Sequence, residues 1–370
     1  MWSSEKVCSD SQEFFDLVCE SIDSARQSVF VEMYIFRRDN LGARLLDALK
    51  RAARRGVEVR VVVDGVGSPS WSGEFIRALG QQQVAARVYH PMPRPTLRLS
   101  QALSLSRLFS HVSRFNNRNH RKMIVVDQMT AFVGSCNVSD LHRRWRETAV
   151  RVGGAGVSEL CGSFAVIWSR SSHPDISRPQ LLRGRKFFRG LKNSARVRVN
   201  CTRKLRQQHN AEIIRRIERA TDRVWVTTAY FVPSPGIIAA LVVASKAGRD
   251  VRLLLPGKNS VISCVSRMFY LGLMRFGVQI YEYQPSKLHA KTLLIDDWAS
   301  VGTTNLNHRS LYHDLEVDIS LTSQLAIARL EDQFISDLAE SQRITPERLR
   351  QRSLLEKISG YIAYPFRTFI

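Results

Sequence analysis

The sequence predicts an α/β protein of two similar lobes, each a mixed, mostly parallel sheet flanked by helices, related by a pseudo-twofold with the candidate site between them. Three observations carry this. The chain has 370 residues, more than one ordinary domain and enough for two lobes of roughly 150–200 residues each. A strand–helix–strand order occurs in both halves, and that order implies a right-handed parallel crossover. The local wording also repeats. Arg55-Gly56-Val57-Glu58-Val59-Arg60 resembles Ala247-Gly248-Arg249-Asp250-Val251-Arg252, and Glu32-Met33-Tyr34-Ile35-Phe36 resembles Thr228-Ala229-Tyr230-Phe231-Val232. Such self-similarity points to a duplication.

The elements follow in order. Ser11 stands where a helix cap belongs, ahead of Phe14, Leu17, Val18, Ile22 and Ala25 at helical spacing. Residues 28–36 are β-branched and aromatic and read as a strand. Asp39-Asn40 is a turn, and a basic helix then buries Leu41, Leu45, Leu46 and Leu49. The apolar run 57–63, ending at Asp64-Gly65, reads as a buried strand. In the second half, helices are expected over 210–220 and 237–247 and strands over 223–229 and 251–255. The first lobe is therefore set at 1–168, a basic linker at 169–192, the second lobe at 193–344 and a tail at 345–370. Thr345-Pro346 is a good helix start. Beyond it Leu354, Leu355, Ile358, Tyr361 and Ile362 share one face, near Arg348, Arg350, Arg352 and Lys357. This tail, the linker and the segment 94–118 are all basic and amphipathic, as interfacial segments are.

Composition narrows the function classes. Apolar residues make up 44 %, enough to bury a core in each lobe. The formal net charge of +22 implies a polyanionic partner, either anionic lipid or nucleic acid. Cys8, Cys19, Cys136, Cys161, Cys201 and Cys264 are scattered among apolar neighbours, without a C-x-x-C pair. That suits reduced core thiols and excludes a disulfide scaffold. No apolar run reaches the ~20 residues that span a bilayer, and residues 1–6 lack the pattern of a signal peptide. The expectation is a chain on the cytoplasmic side that meets a membrane only from its surface.

The chemistry-bearing pattern is a second repeat inside the first. His120, Lys122 and Asp127 form H-x-K-x-x-x-x-D, and so do His289, Lys291 and Asp296. Each copy lies on an apolar strand, where residues two apart point the same way, so each lobe offers an imidazole and an ammonium to one surface. Gly134-Ser135-Cys136-Asn137 follows the first copy and Gly302-Thr303-Thr304-Asn305 the second. Glu147 and Glu316 then stand 27 positions after their histidines (147 − 120 and 316 − 289). Two complete copies at equal spacing leave little room for two unrelated core histidines.

These paired motifs resemble the HKD motifs of the phospholipase D superfamily, and the chain is similar to the bacterial cardiolipin synthase branch of it. The supporting stretches are 34–39, 62–68, 119–122, 229–233, 254–257, 288–291 and 301–306 with Arg309-Ser310, and the similarity runs over roughly residues 10–360. It departs where Thr303 stands for the usual Ser and Asn307-His308 for the usual Asp and aromatic. The resemblance implies phosphatidyl transfer from phosphatidylglycerol to a second phospholipid hydroxyl, through a phosphohistidine. It implies His120 as nucleophile and His289 as acid and base, although near-symmetric copies leave that order open. Glu147 and Glu316 are implied to orient the imidazoles.

The residue types fit this. A phosphodiester repels nucleophiles until its charge is neutralised. Lys122, Lys291, Asn137 and Asn305 can do that, with Ser135 and Thr303 as added donors. No Asp/Glu/His cluster has metal-ligand spacing, so neither metal nor other cofactor is expected. Asp127 and Asp296 belong to the motif, as site residues or as braces of the strand-to-turn backbone. The alternative is a phospholipase D-type phosphodiesterase or nuclease acting on phospholipid or nucleic acid. The expected partners are anionic phospholipid and a membrane surface rather than nucleic acid, because no interleaved aromatic platform for bases is visible. Glu32, Trp225 and Tyr230 are expected in the core or pocket wall, and His142 at the surface or periphery.

Overall fold

The structure is a computed structural model and describes residues 2–92, 117–173, 194–257 and 260–366. Most of 94–118 and of the linker 169–192 therefore lies outside the described residues.

The first lobe runs β1 (Ser4–Cys8), α1 (Ser11–Asp23), β2 (Ser28–Met33), α2 (Asn40–Arg54), β3 (Glu58–Asp64), α3 (Gly73–Gln81), β4 (Val84–Tyr89), β5 (Lys122–Val126), β6 (Thr130–Gly134), β7 (Ala149–Gly153) and α4 (Val157–Arg170). The second runs β8 (Val197–Val199), α5 (Arg203–Arg219), β9 (Arg223–Thr227), α6 (Pro235–Lys246), β10 (Asp250–Pro256), α7 (Val261–Met274), β11 (Gln279–Tyr283), β12 (Thr292–Ile295), β13 (Trp298–Gly302), α8 (His308–Tyr312), β14 (Val317–Leu321) and α9 (Gln324–Ala339). β15 (Ser341–Arg343), α10 (Pro346–Arg350) and α11 (Leu354–Ala363) complete it.

The sheet orders are β1-β7-β6-β5-β2-β3-β4 and β8-β14-β13-β12-β9-β10-β11-β15. Strand for strand, apart from β15, the second repeats the first. Both sheets are mixed and flanked by helices, as expected, but they are not mostly parallel. Only β2–β3–β4 and β9–β10–β11 pair in parallel. The parallel part ends where the helical crossovers end: β5–β6 and β12–β13 return through tight turns, and β6–β7 and β13–β14 through longer connections, all antiparallel. Between β5 and β6 the turn is Asp127-Gln128, both with positive φ (50° and 56°), the geometry that matches hairpin twist.

Helix ends follow capping rules, with one correction. Asp10, not Ser11, caps α1: its carboxylate accepts the Glu13 N–H at 2.8 Å, and Ser11 is already helical. Asn307, where the superfamily pattern has Asp, does the same work for α8 by accepting the Ser310 N–H at 3.0 Å.

Each lobe has a core of its own, and a further apolar cluster spans the lobe boundary. Phe30, Val133, Val152 and Phe164 of the first pack with Val317, Ile319 and Phe334 of the second. Trp2 Nε1 donates to the Ser320 carbonyl at 3.0 Å, and the Glu5 carboxylate accepts the N–H groups of Thr322 and Ser323. The six cysteines are free thiols, five of them buried. Among the described residues no helix is long and apolar enough to cross a membrane.

Candidate active site

β5 and β12 lie fourth in their sheets and begin at or just after the motif lysines. The histidines stand just ahead of these strands, where the backbone leaves its own sheet and pairs with the other lobe. The His120 N–H donates to the Leu315 carbonyl at 3.0 Å and the Leu315 N–H to the Arg118 carbonyl at 2.8 Å. On the other side the His289 N–H donates to the Arg146 carbonyl at 2.8 Å, and the Arg146 N–H to the Lys287 carbonyl at 2.9 Å. Leu315 precedes Glu316 and Arg146 precedes Glu147, so each imidazole meets the carboxylate of the opposite lobe. Nδ1 of His120 is 3.1 Å from both Glu316 oxygens, and Nδ1 of His289 is 2.9 Å from both Glu147 oxygens. A carboxylate on Nδ1 fixes the tautomer and leaves Nε2 as the outward, lone-pair nitrogen.

Lys122 Nζ donates to the His120 carbonyl at 2.6 Å, and Lys291 Nζ to the His289 carbonyl. All six side chains are buried. Burial pushes Glu147 and Glu316 up to about 7. Burial and the neighbouring ammonium groups hold both imidazoles well below their ordinary value. Burial also pulls Lys122 down to about 8 and Lys291 to about 7, against the pull of the glutamates. The imidazoles are thus neutral before an anion arrives, and a bound phosphate favours protonation of His289 and fuller charge on both lysines.

Gly134 and Gly302 earn their places by close approach. A Cβ on Gly134 would collide with the Ala149 backbone, and one on Gly302 with the Asp318 side chain. These contacts hold the following loops, with the buried Asn137 and Asn305, against the glutamate-bearing segment of the same lobe. Aromatic rings wall the pair. Tyr34 lies edge-on to His120 (centroids 4.9 Å apart) and Trp145 edge-on to His289 (5.2 Å). His142, expected at the surface or periphery, is instead buried with its ring tilted 31° against Trp145, centroids 3.8 Å apart, and Lys287 Nζ lies 4.1 Å from the same Trp145 centroid.

A family profile described as "Cardiolipin synthase, PLD-like domain" matches residues 18–165 and 213–338. The chain belongs to this phospholipase D-like family. Cardiolipin synthase 2 of Bacillus anthracis is 30% identical, over 95% of this chain and 68% of that protein. A cardiolipin synthase of Staphylococcus aureus is 28% identical, over 97% and 72%. The crystal structure of phosphatidylserine synthase from Haemophilus influenzae superposes with a TM-score of 0.70 at 14% identity, covering 99% of this chain and 95% of that one, which shows the shared fold.

Within this phospholipase D-like frame, two expected site residues, Asp127 and Asp296, stand away from the histidines. Asp127 accepts the N–H groups of Arg26, Gln27 and Ser28 at 2.7–2.9 Å, and Asp296 those of Thr221, Asp222 and Arg223 at 2.9–3.1 Å. Both lie at the far end of the strand from the histidine and hold a hairpin against the next strand. The Ser135 and Thr303 hydroxyls donate to the carbonyls of Thr148 and Val317, at 3.1 and 3.3 Å. Short side chains there brace the glutamate-bearing segments.

Sequence reasoning missed a charged layer behind His120. Arg118 and Asp64, 2 % and 0 % exposed, form an ion pair at 2.9 Å, and Asp64 also accepts the Asn119 N–H. Asp314, pushed up by burial to about 6, accepts from the Arg118 N–H and from Arg309 Nε, both at 2.9 Å. Arg121 donates Nε to the Glu316 carbonyl at 3.1 Å. Glu32 is fully buried as expected, 3.6 Å from the Arg121 guanidinium. The signal available for Arg121 was a charged residue between His and Lys on an otherwise apolar strand.

Proposed function

We propose that this chain is a cardiolipin synthase-like phosphatidyltransferase. The observation that carries the reading is the pair of crossed His–Glu dyads, each with a buried lysine, facing one another across the lobe boundary. Nε2 of His120 attacks the phosphorus of phosphatidylglycerol, and the bond to the glycerol oxygen breaks. His289, as imidazolium backed by Glu147, gives that oxygen its proton and glycerol leaves. Neutral His289 then takes the proton of a hydroxyl on a second phosphatidylglycerol. That oxygen attacks the phosphohistidine, and His120 is released. Lys122, Lys291, Asn137 and Asn305 hold the non-bridging oxygens, and their charge grows as the anion draws protons onto the lysines.

The partner in this reading is an anionic phospholipid surface, reached peripherally from the cytoplasmic side, without nucleic acid. The tail supports it. On α11, Leu354, Leu355, Ile358, Tyr361 and Ile362 form one outward stripe, 51–77 % exposed, while Gly360 and Ala363 face inward on α7. Exposed Arg348 and Arg350 flank the stripe, and each basic residue near an anionic surface contributes about 1 kcal/mol.

The test is incubation with phosphatidylglycerol vesicles in the presence of chelator, beside His120→Ala and His289→Ala. Cardiolipin and glycerol from the native protein, absent with both variants, is the expected result. Phosphatidic acid without cardiolipin would replace the transferase by a lipase. Cleavage of a single-stranded oligonucleotide with no lipid turnover would replace it by a nuclease.

A further inference from the structure

The duplication makes the two lobes comparable position by position, and in one place they differ in a way the transfer reaction does not require. After β9 the chain runs Phe231-Val232-Pro233-Ser234 into α6, and a groove of about 580 Å³ opens there. Its lining includes Val232, Ile238, Val242, Phe269, His308 and Tyr364. The corresponding stretch after β2 is Ile35-Phe36-Arg37-Arg38, leading to Asp39. There the Asp39 carboxylate accepts the Asp140 N–H at 2.7 Å and caps α2 through the Gly42 N–H at 3.1 Å. The fold does not demand the groove. One copy of the repeat has charge and hydrogen bonds where the other has an apolar channel.

The groove wall adjoins the loop that carries Asn305 on one side and meets the tail on the other. Val232 N–H donates to the Leu306 carbonyl at 3.0 Å, so the groove wall is tied to the residue after Asn305. His308 follows at the start of α8 and adds a polar group to the lining. At the outer end Tyr364 comes from the 3₁₀ turn after α11, whose exposed stripe was described above. α11 is held there by close packing: a Cβ on Gly360 would stand 2.9 Å from the Cys264 carbonyl of α7. α6 is apolar on both faces. Ile237, Ala240, Leu241 and Ala244 enter the core, while Ile238, Ala239 and Val242 line the groove. A helix apolar all round needs an apolar partner on its outer side as well.

We propose that this groove is an acyl-chain site, holding one hydrocarbon chain of the phospholipid whose phosphate lies between His120 and His289. The inference rests on the phosphatidyl-transfer reading and adds a location to it. The volume suits a chain-sized apolar ligand, since small-molecule sites run about 300–1,000 Å³. The occupant enters from the side where the α11 stripe and the exposed arginines face an anionic bilayer. A polar ligand would leave its hydrogen bonds unmet along Ile238, Val242 and Phe269.

Two measurements test it on the full chain. First, kcat/KM is compared for long-chain (dioleoyl) and short-chain (dihexanoyl) phosphatidylglycerol, in the native protein and in Ala239→Trp and Val242→Trp. Filling the groove is expected to lower the long-to-short ratio at least about tenfold; an unchanged ratio in both variants overturns the site. Second, native protein is irradiated with phosphatidylglycerol carrying a diazirine at mid-chain, and the label is mapped. Label on the peptides holding 232–242 and Phe269 is expected, and this readout needs neither turnover nor a folded variant. Turnover with label elsewhere sinks the groove and leaves the transferase standing. Label in the groove with no turnover of either lipid sinks the transferase and leaves the groove. A dimer in light scattering that Val242→Trp dissolves, with label elsewhere, would assign the groove to a second copy of the chain and overturn the lipid.

Discussion

Nδ1 of His120 lies 3.1 Å from both carboxylate oxygens of Glu316, in the opposite lobe, and not against Glu147 of its own. Each dyad is therefore completed only when the lobes meet. The cause is the backbone exchange at Leu315 and Arg146, which carries each glutamate one residue past the crossing point. A half-chain would hold a histidine with no orienting carboxylate, so the duplicated unit works as a pair.

The crossing gives a kinetic prediction that a within-lobe pairing reverses. A phosphatidyl donor with p-nitrophenol as leaving group needs no acid for the first step. In Glu147→Gln, His289 loses its orienting charge, and the base-assisted second step is expected to slow by about 10²–10⁴-fold. The first step survives, so stopped-flow should show a burst of p-nitrophenol near one equivalent. In Glu316→Gln the nucleophile His120 is affected and no burst is expected. Exchange of these two behaviours would mean that His289 is the nucleophile or that the pairing lies within each lobe; a burst in both would sink the crossed assignment.

The buried lysines set a pH dependence. In the unfolded chain Lys291 holds its proton up to about 10.4, while burial brings it to about 7 in the folded protein. Between these values the unfolded state binds the extra proton, so this group's contribution to stability improves as pH rises through that window. Lys291→Met escapes the penalty. It is expected to be more stable than the native chain at pH 6, with the advantage shrinking toward pH 10, and to lose at least about 10²-fold in turnover. Urea titrations at the two pH values read the first part. Anion binding should draw protons onto both lysines. Calorimetry of tungstate binding at pH 8, in buffers of different ionisation enthalpy, should register uptake of about one proton.

The motif aspartates are predicted to act on stability alone. Asp296→Ala removes an acceptor for three backbone N–H groups. The loss is expected near 1–3 kcal/mol, as for charged caps at a partly solvated site. Turnover measured well below the melting temperature should stay within about threefold of native. A thousandfold loss of kcat with unchanged unfolding would place Asp296 in the chemistry after all.

This contrast shows what could be read in advance. His120, Lys122, His289, Lys291 and the two glutamates were legible because their type and spacing repeat, and repetition at equal intervals has no packing cause. The duplicated α/β plan was legible from the same repetition. The direction of β5 to β7 was not, because a short apolar strand looks alike in a parallel or an antiparallel pair. Nor was the crossing of the dyads, since spacing along the chain is identical for either pairing. Arg118 and Asp64 were invisible for another reason: a buried ion pair between residues 54 apart leaves no local pattern.

Arg121 and Glu32 give the last prediction, and the other lobe supplies its control. Arg121 is 0 % exposed and lies 3.6 Å from Glu32, whose oxygens accept no hydrogen bond among the described residues. Burial raises the Glu32 carboxyl against the pull of Arg121. In the second lobe the equivalent positions are Ala290 and Thr228, so the pair is present or absent as a unit. Arg121→Ala leaves a buried carboxylate uncompensated and is expected to cost about 3–5 kcal/mol. Adding Glu32→Thr copies the second lobe and should return part of it, with a coupling of at least about 1–2 kcal/mol in a double-mutant cycle. Additive losses would mean the two charges do not stabilise each other. The double variant also lacks the Arg121 Nε contact to the Glu316 carbonyl. Its recovered stability with a still-depressed kcat, and an altered acid limb of the pH profile, would mark Arg121 as the residue that positions Glu316 on His120.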